Sequence, residues 1–266
     1  MKKSLLYWFR SLCWGMLSKI GELRALFFRP YIKRKTIEGV TFDFLIGDTS
    51  GREWYDVGCT DPDWIEMRFV RDNIVGKGDV VLECGGHHGC TTILLSNWVG
   101  ESGKVVTFEA LPNNARILRK NMEINRLKNV LVEEKAVGVV TGRLRIGNTS
   151  NSFVMKSAFG TGLVVDSVRL DDYLDCKPTV LKVDVEGYEV EVLRGAGEIL
   201  KRKPKLVIEV HTDALQNYNA KIKDLLDFID ITEYKVWIQW ADNEEPVVYD
   251  GKTEIDRRVH LFAVPI

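Results

Sequence analysis

Two rhythms of apolar and polar residues alternate along most of this chain. Short apolar runs of strand length fall at Val80–Cys84, Lys104–Phe108, Val130–Glu133, Pro178–Val183 and Leu206–Val210. Between and after them come stretches with helical spacing, at Thr91–Val99, Asn113–Asn125, Val190–Leu200 and Ala214–Ile229. Two last runs, Tyr234–Trp240 and Val259–Val264, read as closing strands. Strands alternating with helices predict an α/β fold, a largely parallel sheet with helices on both faces. Upstream, Ile37, Val40, Phe42, Phe44 and Ile46 predict a hairpin over Thr36–Ile46. Asp61-Pro62 then supplies start signals for a helix over Asp63–Ile74. Residues Val137–Val165 read as an excursion, with short alternating runs around a Gly-Asn-Thr-Ser-Asn-Ser turn.

The first core strand leads into Glu83-Cys84-Gly85-Gly86-His87-His88-Gly89-Cys90-Thr91-Thr92. Its glycines permit a sharp turn and a close approach of a ligand to the backbone. A loop that opens a helix also offers N–H groups and the positive end of a dipole. The dinucleotide fingerprint G-x-G-x-x-G is absent. The spacing of Glu83, Gly85 and Gly89 resembles instead the acid-x-Gly-x-x-x-Gly first motif of class I S-adenosylmethionine methyltransferases.

Ligands of parallel sheets sit beyond the carboxyl ends of the strands. Polar residues recur there. Glu109 ends the second core strand, 20 residues after Gly89, where an acid can accept hydrogen bonds from a ribose diol. Its alternative is a surface acid beside a helix N-terminus. Lys182, Asp184 and Glu186 are two apart and share one face of an extended strand. Asp184 can orient or deprotonate a hydroxyl; Glu186 either joins it or stabilises the next helix. His211, two residues after Glu209, is either a general base or a structural histidine. His87 and His88 lie within the glycine loop without the further ligands of a zinc site, so no metal is expected, and His87 is assigned to the amino-acid end of the cofactor.

Composition narrows the field. A chain of 266 residues, 45% hydrophobic and 28% charged, can bury a large core. A net charge of −1 gives no field for nucleic acid, so no nucleic-acid partner is expected. Five scattered cysteines form no C-x-x-C pair, which fits a reducing cytoplasm. Residues 1–35 are set apart by apolar and aromatic positions mixed with Lys2, Lys3, Arg10, Lys19 and Arg24. The segment is too interrupted to span a bilayer. It is either a basic amphipathic helix lying peripherally on a membrane or a helix packed on the main domain or on a second subunit of a homo-oligomer. The expected organisation is this segment, a substrate-side cap of hairpin and helix over 36–75, and a cofactor domain over 76–266.

Several motifs coincide beyond the glycine loop. Leu181-Lys182-Val183-Asp184-Val185-Glu186-Gly187-Tyr188-Glu189, Val192-Leu193-Arg194-Gly195-Ala196, Ile208-Glu209-Val210-His211 and Val168-Arg169-Leu170-Asp171-Asp172-Tyr173 together resemble the FkbM family of S-adenosylmethionine-dependent methyltransferases. The similarity runs from about Gly78 to His211. It implies the class I, Rossmann-like fold, with seven strands and one of them antiparallel near an edge. It implies transfer of a methyl group to a hydroxyl of a sugar, a glycan, a lipid-linked sugar or a small natural product. Carried over by position, Glu83, Gly85 and Gly89 match the first cofactor motif, Glu109 the ribose acid, Ala136 the end of the adenine-side segment, and Asp184 and Glu186 the fourth-strand motif. Together with the residue readings above, the cofactor-binding candidates are Glu83, Gly85, Gly86, His87, Gly89, Glu109 and Ala136, and the catalytic candidates Asp184, His211 and Glu186. The chain departs from the family pattern at Glu83, where Asp is usual, at His87 and His88, and at Ala110, where Pro is frequent. Methylation of a non-oxygen acceptor and a non-catalytic module that only binds or senses the cofactor stay open beside this reading.

Overall fold

A computed structural model describes residues 27–58, 64–147, 154–155 and 162–266. Most of the segment 1–35, and with it the membrane or subunit reading, lies outside the described residues. Among the described residues no helix is long and apolar enough to cross a membrane.

The hairpin comes first. Strands β1 (Tyr31–Ile37) and β2 (Val40–Ile46) pair antiparallel in full register. The two residues between them, Glu38 and Gly39, both have positive φ, at 45° and 79°, as a tight hairpin turn requires. The hairpin starts at Tyr31 rather than Thr36. Lys33 and Lys35 are part of β1; Lys35 is buried and bonds the carbonyl of Tyr55, while Lys33 pairs with Asp56 at the surface. The basic run is therefore partly consumed inside the protein.

The central sheet holds β3 (Val80–Cys84), β4 (Lys104–Phe108), β5 (Val130–Glu133), β9 (Val180–Val183), β10 (Lys205–Val210), β11 (Tyr234–Gln239), β12 (Val247–Val248) and β13 (Val259–Pro265). Their order is β12-β11-β13-β10-β9-β3-β4-β5. Pairing is parallel from β10 to β5, while β13 runs antiparallel to both β10 and β11. The expected single antiparallel strand is β13; the two-residue β12 adds a second at the edge. The excursion folds as its own small sheet of β6 (Ala136–Val137), β8 (Leu163–Val168) and β7 (Gly142–Ile146), around Leu111, Ala136, Ile146 and Val165.

Two predicted helices are shorter than their apolar spacing suggests. The first splits into Glu189–Arg194 and Gly197–Leu200 around Gly195. The second breaks into Thr212–Leu215, a 3-10 turn and Ile222–Leu226, with Asn219 left-handed at φ 56°. The sequence between these pieces is polar (Gln216-Asn217-Tyr218-Asn219), so packing gives the helix nothing to continue on. Two apolar layers cover the sheet. One contains Leu82, Val106, Leu181, Ile208 and Leu193; the other contains Val81, Ile93, Leu94, Val105 and Phe262. Ile37, Phe42, Phe44 and Ile46 of the hairpin and Met67 and Val70 of the helix Ile65–Asn73 belong to that second layer. The region 36–75 thus shares the core of the sheet while Trp54, Tyr55 and Trp64 from it reach the cavity described next.

Candidate active site

The carboxyl ends of β3, β4, β9 and β10 open on one cavity of roughly 820 Å³. Such a volume suits a small-molecule site. Its floor is the turn after β3. Gly85 has φ +91°, and a Cβ there would stand 1.9 Å from the carbonyl oxygen of Asp184. No other residue lets β3 and β9 approach so closely at their ends. The amides of this turn are not free. Gly85 and Gly86 both donate to the carbonyl of Phe108, and Gly89 donates to that of Gly86. The turn is thus tied to the end of β4 through Gly85 and Gly86 and closes on itself only at Gly89.

Glu109 lies beside this turn. It accepts from the amide of His87 through Oε2 and from the amide of Leu111 through Oε1, both at 2.8 Å. It is buried, and burial pushes its carboxyl up to about 7 despite these amide bonds and one from Asn114. Three donors use its carboxylate, and of the roughly four lone-pair positions one remains for a ligand. Phe108, Ala110, Ala136 and Val137 make an apolar wall next to it.

His87, at φ 47°, faces the cavity but its ring is committed to the protein. Nδ1 lies 2.6 Å from the hydroxyl of Tyr55, and the ring stacks on His88 at 4.2 Å. Burial, with His88 adjacent, lowers its pKa to about 3, so the imidazole is neutral. Glu83 and Gly89 stand behind the cavity wall and do not line it. Glu83 is fully buried and accepts from the hydroxyls of Thr91 at 2.6 Å and Thr92 at 2.5 Å. It clamps the start of the helix Cys90–Val99 to β3. Gly89, at φ +90°, begins that helix and packs against Met122 and Leu118. Both residues support the loop from below.

The other end of the cavity gathers charge. Lys182 is buried, with Nζ 3.8 Å from Asp184, and Glu83, Glu66 and Glu209 also face it. Asp184 has its carboxyl raised, first by burial and then by Glu209, with Lys182 opposing. His211 donates its Nδ1–H to the buried Glu189, 2.8 Å away, while its Nε2 stands 3.5 Å from Glu186 and 3.4 Å from Glu209. Burial alone would lower the pKa of His211, but Glu189 first and Glu209 next raise it to about 9. Glu186 sits at φ 54° in the turn into the next helix, beside Asp184 and His211. Arg258 bridges Glu209 and Asp242, and His260 stands between Asp242 and Glu66.

The structure thus places Gly85, Gly86, His87, Glu109, Ala136, Asp184, Glu186 and His211 on one cavity, and Glu83 and Gly89 beneath it. Residues that the sequence did not single out join them. Tyr55 and Trp54 arrive from the π-helical turn Glu53–Gly58, and Arg258 and His260 from the start of β13. Glu189 is hidden at the first turn of a helix, where an acid reads as dipole stabilisation. Only the pairing of distant segments reveals these roles.

A sheet of this order with a glycine turn at its switch point, an acid on the neighbouring strand and a polar cluster two strands away is the class I methyltransferase architecture. The Methyltransferase FkbM domain family matches residues 83–236, more than half of the chain, and the chain belongs to that family; its cofactor is S-adenosylmethionine. A 48-residue stretch is 42% identical to tRNA (adenine(57)-N(1)/adenine(58)-N(1))-methyltransferase TrmI of Methanocaldococcus jannaschii, covering 18% of this chain and 17% of that one. Among solved structures, the methyltransferase FkbM of Methylobacillus flagellatus KT is 22% identical, with a TM-score of 0.46, over 70% of this chain and 44% of that one. A SAM-dependent O-methyltransferase of Thermotoga maritima is 15% identical, with a TM-score of 0.47, over 87% and 76%. The chain therefore spans less than half the length of the first two of these relatives.

Proposed function

We propose that this protein transfers a methyl group from S-adenosylmethionine to a hydroxyl oxygen of a sugar, a glycan, a lipid-linked sugar or a small natural product. The observation that supports it most is that the Glu109 end and the Asp184–His211 end open on the same cavity. The residues present fit the cofactor. Glu109 would hold a ribose hydroxyl, the wall of Phe108, Ala110 and Ala136 the adenine, and Gly85, Gly86 and His87 the amino-acid arm. When bound, the cofactor supplies an already electrophilic methyl carbon. The chain's own task is then to seat the acceptor and draw off a proton. Asp184, Glu186 and His211 face the remaining space of the cavity and are the acceptor side of the site. Glu189 fixes the imidazole of His211 through Nδ1, leaving Nε2 beside Glu186 and Glu209 on this side of the cavity.

The test is transfer of labelled methyl from the cofactor to a panel of hydroxylated acceptors, with cofactor binding measured separately. Asp184→Asn and His211→Ala are expected to lower turnover by about 100-fold or more at unchanged cofactor affinity. Normal turnover in both variants removes the assignment. Label recovered on nitrogen or carbon replaces the acceptor class, and cofactor binding without transfer to any fraction favours a sensing module.

A further inference from the structure

We infer that Asp184, Glu186 and His211 bind one divalent cation of the kind that accepts mixed carboxylate and imidazole ligands, Mn²⁺ or Zn²⁺. The cation's role rests on the methyl-transfer reading; its binding does not. The three side chains each offer one ligand atom, and these atoms all lie within 4.8 Å of one another on the cavity wall. Nε2 of His211 and Oε2 of Glu186 are 3.5 Å apart. An ion with ligand bonds near 2.1 Å places its donors roughly 3.0 to 4.2 Å apart, so this pair already has the required spacing.

The imidazole is set as a ligand. Its Nδ1 is taken by Glu189, whose carboxylate is fully buried and itself held by the amide of Gly187 at 2.9 Å. A histidine that binds a metal through one nitrogen gives its other N–H to such a carboxylate, which fixes the ring and raises its basicity. Here that leaves Nε2 facing Glu186 at 3.5 Å and Glu209 at 3.4 Å, with Asp184 in the same cluster.

Carboxylates gather at this point, those of Asp184, Glu186, Glu189 and Glu209, with Lys182 beside Asp184 and Arg258 beside Glu209. Held there, the cation would bind the acceptor hydroxyl and make it more acidic. The hydroxyl proton leaves to solvent water, the oxygen–methyl bond forms as the sulfur–methyl bond breaks, and the electron pair of the broken bond stays on sulfur. Mixed nitrogen and oxygen donors favour Mn²⁺ or Zn²⁺ over Ca²⁺, which takes oxygen ligands alone.

The full chain, stripped with a chelator, would be titrated with MnCl₂ and with ZnCl₂ by calorimetry, and Mn²⁺ binding read by its electron paramagnetic resonance signal. One ion per chain is expected, with affinity weaker by about tenfold or more in Glu186→Gln and in His211→Gln. Glu186 is partly exposed, so Glu186→Gln retains the fold, which a melting curve checks, and that variant decides if the other does not fold. No uptake of either ion at millimolar concentration overturns the proposal, and so does uptake undiminished in a folded Glu186→Gln. Binding that is lost in the variants, in a protein that methylates nothing, upholds the cation site and removes the reaction reading instead. Full-rate transfer by the stripped protein overturns the cation's place in the reaction.

Discussion

At the scale of single residues, Glu109 carries the most testable chemistry. Its carboxyl is raised to about 7 by burial. If Glu109 accepts from a ribose hydroxyl as proposed, beside the amides that already use both its oxygens, it must be ionised. Cofactor affinity is therefore expected to weaken as pH falls through 7, by up to about tenfold for each unit below. Calorimetric titration between pH 6 and 8 reads this, and Glu109→Gln should bind weakly with a flat profile. A pH-independent affinity in the native chain would show that the ribose is held elsewhere. The same shift has a consequence for stability with a fixed sign. A carboxyl whose folded pKa lies above its unfolded value stabilises the fold below the unfolded pKa and loses that contribution as pH rises through 7. The bound carboxylate thus stands against a stability cost that its ligand must offset.

Among the elements, the turn from β3 to the helix Cys90–Val99 shows how a functional motif is held from behind. Glu83 accepts two charge-assisted hydroxyl bonds inside the core, and Lys182 faces it. Glu83→Ala is expected to destabilise the chain by roughly 3 kcal/mol, because Thr91 and Thr92 lose their acceptor and Lys182 loses one buried counter-charge. Glu83→Gln should cost less, and denaturant unfolding of the two variants gives the comparison. Destabilisation below about 1 kcal/mol in Glu83→Ala would mean that the clamp is not needed. The same turn marks what was legible in the sequence. The strands β3, β4 and β5 could be bounded to the residue because their runs are short and flanked by Asp79 and Gly85, by Gly103 and Glu109, and by Asn129 and Glu134. The face shared by Asp184 and Glu186 followed from the period of a strand. Glu83 and Gly89 were assigned to the cofactor by their position in a motif; they stand behind the cavity lining, Glu83 bonded to Thr91 and Thr92 and Gly89 packed on Leu118 and Met122. Tyr55, Glu189 and Arg258 were not legible, since each gains its role from a partner more than 20 residues away or from burial that spacing does not encode.

For the molecule as a whole, long-range polar ties join the hairpin and the last strand to the cavity. His260 on β13 sits between Asp242 and Glu66, which belongs to the helix Ile65–Asn73. Burial would lower its pKa, but Glu66 and then the bond to Asp242 raise it to about 9. With the folded value above the unfolded one near 6.5, its contribution is complete below pH 6.5 and is lost as pH rises through 9. Thermal unfolding should show a loss of roughly 2 kcal/mol between pH 7 and 10 that is absent in His260→Gln.

The tie on the other side runs through the helix Pro112–Ile124. Asn121 is fully buried; its Oδ1 accepts from the amide of Leu45 on β2 at 2.6 Å, and its Nδ2 donates to the carbonyl of His88 in the glycine loop at 2.9 Å. One side chain thus connects the hairpin to the cofactor turn. On the opposite side of that turn, Tyr55, held by Lys35 of the hairpin, meets His87 and His88. Because the hairpin also buries Phe42, Phe44 and Ile46 against the sheet, it is part of the frame that fixes the turn. Asn121→Ala leaves a buried amide and a buried carbonyl without partners, which should cost about 2 to 4 kcal/mol. It should also weaken cofactor binding, since His88 loses its bond to Asn121, while Asn125→Ala, which removes ties to Asp43 and to the carbonyl of Asn121 but none to His88, should lower stability and leave affinity unchanged. Unfolding curves and cofactor titrations of the two variants separate a frame that holds the turn from a hairpin that merely covers it: equal affinities in both would leave the hairpin as cover.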